Sequence, residues 1–406
     1  MNHPNRVRLS KLSLGLLLAL AAAPAFAQST SAAIGGQVVG SDGQPVSGAE
    51  VTITHTESGT VSRAVTDASG RYNARGLRVG GPYTVVINKA GAGSDSEEGV
   101  YLSLNQAATV DGQLNNSVTT LGTVQAVATA GTSVFSATKM GSGTSVDLNT
   151  IEAAPSQGNI QDLMRLDPRV AFIDRASGSI SAGGQNPRYN NIRIDGVSAS
   201  DTFGLEGNNM PTRRQPVAME AIEAINIDLS NYDVSITGAT GAVVDAVTKS
   251  GTNEFHGSLY GKWRDGDWFG KDPAGAKFKG FTEETNYGLT FGGPIIKDKL
   301  FFFVNYDKFH QGAPGADVAN SPLGTGAISQ TDFNAAITAA QGYVMTPGSL
   351  ASTRDLDLEE YAAKIDWNIN AAHRASFRAS RTEETQPVIV VGASNRLNLS
   401  SNWYLF

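Results

Sequence analysis

The stretch Glu360-Tyr361-Ala362-Ala363-Lys364-Ile365-Asp366-Trp367-Asn368-Ile369 decides the fold. Side chains of an extended chain point alternately to opposite faces. Tyr361, Ala363, Ile365, Trp367 and Ile369 therefore form an oily face, and Glu360, Ala362, Lys364, Asp366 and Asn368 a wet one. The alternation continues on both sides of this stretch. Upstream, Phe255, Leu259 and Trp263 oppose His256, Ser258, Tyr260, Lys262 and Arg264, and Tyr287, Leu289 and Phe291 oppose Asn286, Gly288 and Thr290. Next, Leu300, Phe302, Val304 and Tyr306 oppose Phe301, Phe303, Asn305 and Asp307. Downstream, Ala375, Phe377 and Ala379 oppose Ser376, Arg378 and Ser380. Leu397, Leu399, Trp403 and Leu405 then oppose Asn398, Ser400, Asn402 and Tyr404.

A soluble sheet with one face on a core would alternate in the same way. The connections favour a membrane barrel. A polar stretch, Asp265 to Glu283, is followed by a tight turn around Gly293 to Asp298, a very long connection, His310 to Leu356, and another tight turn, Asn370 to His373. Short turns alternating with long loops are how outer-membrane barrels are built, and strands of roughly ten residues suit a tilted crossing. The expected lipid face is Leu259, Trp263, Tyr287, Leu289, Phe291, Phe302, Val304, Ile365, Trp367 and Phe377. Lys364 should face a polar lumen, where arginine would be nearly silent.

At the other end, Arg6, Arg8 and Lys11, the apolar run Leu12 to Ala22 and Ala25-Phe26-Ala27 read as a signal peptide over residues 1–27, cleaved before Gln28. The apolar run is too short to span a bilayer as a helix. Cysteine is absent, which excludes disulfides and thiolate metal sites. A net charge of −7 argues against nucleic acid as a partner.

Between leader and strands lie three segments. Residues 33–114 carry short strands separated by turn chemistry such as Asp42-Gly43-Gln44-Pro45 and Asp67-Ala68-Ser69-Gly70, which indicates a small β-sandwich. Asp42-Gly43-x-Pro45-x-x-Gly48-Ala49-x-Val51, Thr66-Asp67-x-x-Gly70-x-Tyr72 and Gly76-Leu77-x-x-Gly80-x-x-Tyr83 resemble the carboxypeptidase regulatory-like domain. That resemblance implies no peptidase activity. It leaves open a folded periplasmic spacer or a carbohydrate-binding-like module. Residues 115–143 read as a linker with one β-prone island. In residues 145–251, Asn159 is expected to cap a helix with Ile160, Leu163, Met164 and Leu166 inward, and a second helical stretch is expected around Val217 to Ala221. Asn191 to Ile194 should run into a tight Asp195-Gly196 turn.

The motifs Asn159-Ile160-Gln161-Asp162-Leu163, Arg188-Tyr189-Asn190, Asp195-Gly196-Val197, Asp201-x-Phe203-Gly204-Leu205 and Val247-Thr248-Lys249-Ser250-Gly251-Thr252-Asn253 resemble, in order, the plug domain of TonB-dependent receptors, most closely the Oar-like branch. The resemblance implies a mainly β protein with an α/β plug: an N-terminal β-sandwich, a mixed α/β plug domain, then the first antiparallel strands of a transmembrane β-barrel over 253–406. Such barrels hold about 22 strands, so the 406 residues read as an N-terminal fragment. The linker island Val124, Gln125, Ala126, Val127 and Ala128 stands where these receptors carry the TonB box, though it lacks that motif's acidic residue and valine run.

No catalytic constellation is present. His55, His256, His310 and His373 fall in different segments, none in metalloprotease spacing, and Lys249-Ser250 lacks a phosphate-cradling loop. Asp355, Asp357, Glu359 and Glu360 read as a solvated rim or lumen wall. No enzyme activity and no cofactor are expected. Arg188, Tyr189, Asn190, Arg193, Asp195, Arg213 and Arg214 are the candidate plug–barrel or plug–ligand surface. The resemblance implies energised uptake of a bulky extracellular ligand (iron chelate, glycan or peptide) through an outer-membrane barrel in contact with lipid. A TonB-type energy-coupling protein would be the partner. The alternatives are a non-transporting glycan-binding or adhesive surface protein, and an inactive truncated form.

Overall fold

The structure, a computed structural model, describes residues 30–115, 143–154, 158–174, 178–203, 207–229, 239–271, 275, 277–278, 280–314, 323–342, 353–370, 373–388 and 401–405. The expected leader and the island Val124 to Ala128 lie outside the described residues.

Eight short strands form the first domain: β1 (Ala32–Val39), β2 (Glu50–His55), β3 (Thr60–Val65), β4 (Arg71–Leu77), β5 (Gly80–Lys89), β6 (Gly93–Leu102), β7 (Ala107–Thr109) and β8 (Gly112–Gln113). One sheet runs β4-β1-β7 with β8 also on β1, and the other runs β3-β2-β5-β6. Period-two alternation sends Ile34 and Val38 of one sheet and Val51, Ile53, Val85 and Ile87 of the other into a shared apolar core. The turn before β4 closes as its sequence requires, with the Asp67 carboxylate accepting from the amides of Ser69 and Arg71 at 2.8 and 2.9 Å.

The second domain contains β9 (Gly143–Val146), α1 (Leu148–Ala153), α2 (Ile160–Met164), β10 (Val170–Asp174), β11 (Ser179–Ala182), β12 (Asn191–Ile194), β13 (Val197–Ser198), β14 (Ile222–Asp228) and β15 (Val243–Thr248). Its main sheet is ordered β13-β12-β15-β14-β9. The β12–β13 hairpin turns at Asp195 and Gly196, with φ of 48° and 83°. Positive φ at both central positions fits a two-residue hairpin, and Asp and Gly are residues that accept it. Two local expectations fail here. Leu166 is 47% exposed, because α2 stops at Met164 before a second turn can carry Leu166 inward. The stretch around Val217 to Ala221 forms only a 3-10 turn, Met219–Ala221.

Six strands follow among the described residues: β16 (His256–Asp265), β17 (Glu283–Ile296), β18 (Leu300–Pro314), β19 (Thr353–Asn370), β20 (His373–Val388) and β21 (Ser401–Leu405). They pair antiparallel in sequence order. Short turns join β17 to β18 and β19 to β20 at one end. Longer connections lie at the other, one carrying α3 (Gln330–Gly342). The strands β17 to β20 outrun the expected ten residues, β19 reaching 18, so the sheet continues beyond the span that the apolar pattern marks.

The register aligns the outward rows. Phe302 pairs with Ile365, which pairs with Phe377, while Phe291 pairs with Val304 and then Ala363. Leu259, Trp263, Tyr287, Leu289, Phe291, Ile365, Trp367 and Phe377 are all exposed; Val304 is half-buried, and so is Phe302, beside the rings of Phe255 and Phe291. The band ends at the Lys308–Glu359 ion pair of 2.5 Å. From Ile369 to Glu359 is roughly 33 Å of strand, or about 25 Å of height at a tilt near 40°. That height is the apolar belt of an outer-membrane barrel.

Candidate functional site

The inward faces of β16 to β20 form a wall against which the second domain sits. The wet face is not wet throughout, contrary to the sequence reading. Phe301 and Phe303 are buried, and Phe303 joins the core of the second domain beside its sheet residues. Phe309 packs with Leu356 and Leu358 higher on the same wall. An inward aromatic is stable here because a folded body covers it.

Polar contacts hold the two surfaces together at two heights. Near the short-turn end, the Asp195 carboxylate accepts from the Thr248 amide at 2.9 Å and from its hydroxyl at 2.6 Å. It also faces Lys364 Nζ of β19 at 3.6 Å and Arg378 Nε of β20 at 3.3 Å. Lys364 Nζ donates to the Thr248 carbonyl at 2.9 Å. Lys364 is therefore a buried anchor, and a substitution there cannot be silent as expected. The span from Phe303, level with Lys364, to Phe309 is roughly 20 Å of strand. At this upper level the Arg213 amide donates to Glu384 Oε2 at 2.9 Å. The Arg214 guanidinium lies 3.8 Å from the Phe309 ring centroid and donates to the Gly158 carbonyl. Lys262 reaches Glu220 at 2.6 Å.

Of the candidate residues, Asp195, Arg213 and Arg214 thus meet at the wall. Arg193 turns into its own sheet, 3.5 Å from Asp245 and bonded to the Gly196 carbonyl. Asn190 is buried and structural: it donates to the Ile180 carbonyl and accepts from the Ala242 amide. Arg188 and Tyr189 lie exposed on a 3-10 turn capped by Asn186. The sequence reading missed Lys364, Arg378 and Glu384 as partners. Their position on the inward face was readable; the residues that they meet were not. Asp357 and Glu359 pair with His310 and Lys308 on the outer rim, and Glu360 turns inward, buried. Among the described residues no acidic or histidine cluster suits a metal ion.

The first domain packs against the same assembly at its short-turn end. Val79 and Leu104 form an apolar patch with Ala224 and Val247 of the second domain. A cavity of about 820 Å³ remains where first domain, second domain and wall meet, lined among others by His55, Arg78, Asp195, Glu223 and Asp366. Burial first, then the charges of Arg78 and Arg374, push the His55 imidazole down to about 3, so it stays neutral. Burial also raises the Glu223 carboxyl above the ordinary range, against the pull of Lys249 and Arg78.

Residues 33–115 match the carboxypeptidase regulatory-like domain and residues 247–355 an outer membrane beta barrel domain. The TonB-dependent transporter Oar of Myxococcus xanthus is 29% identical over 406 residues, covering 94% of this chain and 36% of its own length. A probable TonB-dependent siderophore receptor, PirA of Acinetobacter baumannii, is 29% identical over 177 residues, covering 39% of this chain and 22% of its own. The chain thus spans well under half the length of these relatives. Among solved structures, the outer membrane transporter YddB of Escherichia coli aligns with a TM-score of 0.44 at 16% identity, over 61% of this chain and 33% of its own.

Proposed function

Starting from the chain's similarity to the TonB-dependent transporter Oar and its match to an outer membrane beta barrel domain, we propose that it is the N-terminal part of a receptor for energised uptake of a bulky ligand. In this reading the second domain is a plug. The ligand, an iron chelate, glycan or peptide, binds on the long-loop side, and a TonB-type energy-coupling protein pairs by strand addition with Val124, Gln125, Ala126, Val127 and Ala128. Pulling on that segment would then draw on β9, the edge strand of the plug sheet.

The observation that carries the reading is how the plug is attached. Polar groups, Asp195 with Lys364 and Arg378 and the Arg213 amide with Glu384, hold it at both heights. Among the described residues, Phe303 is the one wall aromatic within its core. A water-filled channel can rehydrate such groups when they part, so the plug can move at a cost that a permanent apolar seal would not allow. The sandwich lies at the short-turn end, away from the long loops, and this counts against a surface adhesin.

Strand addition draws its affinity from the backbone. Proline at Gln125 or Val127 should therefore abolish cross-linking from this segment to the coupling protein, since it removes a ladder donor, whereas alanine at the same positions should not. Cross-linking that survives proline at both positions would move the contact out of this segment.

A further inference from the structure

The contacts between sandwich and barrel converge on one side chain. Arg78, just after β4, donates to the Gly251 carbonyl at 3.1 Å where the plug leads into the barrel. It lies 3.9 Å from Asp366 of β19 and 5.8 Å from the ring centroid of the inward Phe301. Around this centre stand five further hydrogen bonds. Asn368 Nδ2 donates to Thr60 Oγ1 at 2.7 Å, and Arg374 donates to the Ser62 hydroxyl and the Gly76 carbonyl. The Asn253 amide donates to the Glu57 carbonyl at 2.8 Å, and Asn105 donates to Asp245 of the plug sheet at 3.3 Å. The apolar patch of Val79 and Leu104 on Ala224 and Val247 lies among them. Every barrel residue involved belongs to the short-turn end.

We propose that the sandwich is a releasable latch: docked through the Arg78 clamp, it pins the start of β14 and the end of β15 in the plug sheet to the short-turn end of the barrel, and it must let go before that sheet can move. Its chemistry suits release. The contacts named above are mostly polar and border a cavity, so water can replace each bond as it breaks. A permanent interface would bury a wider apolar area. The linker between sandwich and plug joins the two bodies that the latch holds together, so tension on it bears on both. The latch takes its purpose from the gating reading above, but its test needs no transport.

The chain has no native cysteine, so Thr60→Cys with Asn368→Cys gives a clean probe in outer-membrane preparations. A short bismaleimide should bridge the pair in high yield, and adding Arg78→Ala with Arg374→Ala should lower that yield at least fivefold. In the protein without the cysteines, the same two alanines should speed amide exchange at Val247 to Gly251 at least fivefold, with heat-modifiable migration of the barrel unchanged. Bridging the cysteines in the alanine background should restore slow exchange, which separates undocking from misfolding. Poor bridging in the parent would overturn the latch. So would exchange that ignores the clamp, or exchange that stays fast after bridging.

Discussion

Asp195→Asn removes one charge and one acceptor oxygen and leaves the shape of the side chain unchanged. Asparagine has the same shape and accepts the φ of 48° that this turn position imposes. Its carbonyl oxygen can still accept from the Thr248 amide. What is lost is the Oδ2 acceptor for the Thr248 hydroxyl and the counter-charge to Lys364 and Arg378, whose side chains are 9% and 17% exposed. Removing one partner of a buried pair costs about 3–5 kcal/mol. Partial access to the cavity reduces this, so we expect about 2–4 kcal/mol less anchoring of the plug. Local opening should rise roughly 30- to 700-fold, read as hydrogen exchange at the Thr248 amide, while the barrel keeps its heat-modifiable migration. Lys364→Met in the Asp195→Asn background should recover part of the loss, because it removes a cation left unpaired. A change below about threefold, or a strictly additive double variant, would mean that Asp195 does not anchor the plug to Lys364 and Arg378.

Phe303→Ala should cost about 3–5 kcal/mol in plug retention, as a buried aromatic shared with the plug core does; proteolytic release of an intact plug checks it. Val304→Arg, paired with Ala363 in the middle of the apolar band, should destabilise the barrel by about 2–4 kcal/mol in lipid, and Leu300→Arg, level with Trp367 at its edge, by about 0–1; urea titration in vesicles measures both. His55 is held at about 3 against an ordinary 6.5, so its contribution is present above pH 6.5 and lost as pH falls toward 3. The sandwich should lose about 2 kcal/mol by pH 5, and His55→Gln should flatten that dependence in exchange measured from pH 7 to 5.

The barrel strands were legible because lipid imposes a strict rule on one face: Leu259, Ile365, Trp367 and Phe377 alternate with polar neighbours and stand exposed. The opposite face follows a weaker rule. Phe301 and Phe303 read as exceptions in a wet lumen because the plug and sandwich that cover them are distant in sequence. Asp195 was readable as a turn residue from Asp-Gly alone, but Lys364 and Arg378 meet it only through folding. The same limit hid Arg78, which carries no motif and gains its role from three surfaces at once. Leu166 failed for a local reason: a helical period extended past the point where α2 ends.

The most direct test of the membrane wall and its plugged inner face is a nitroxide scan of Ala375 to Arg381, one cysteine at a time in the otherwise cysteine-free chain, in lipid vesicles. Labels at 375, 377 and 379 should be open to oxygen dissolved in the bilayer and closed to a polar nickel chelate. Labels at 376, 378 and 380 should be closed to oxygen. An inverted pattern, or one without a period of two, would contradict the account.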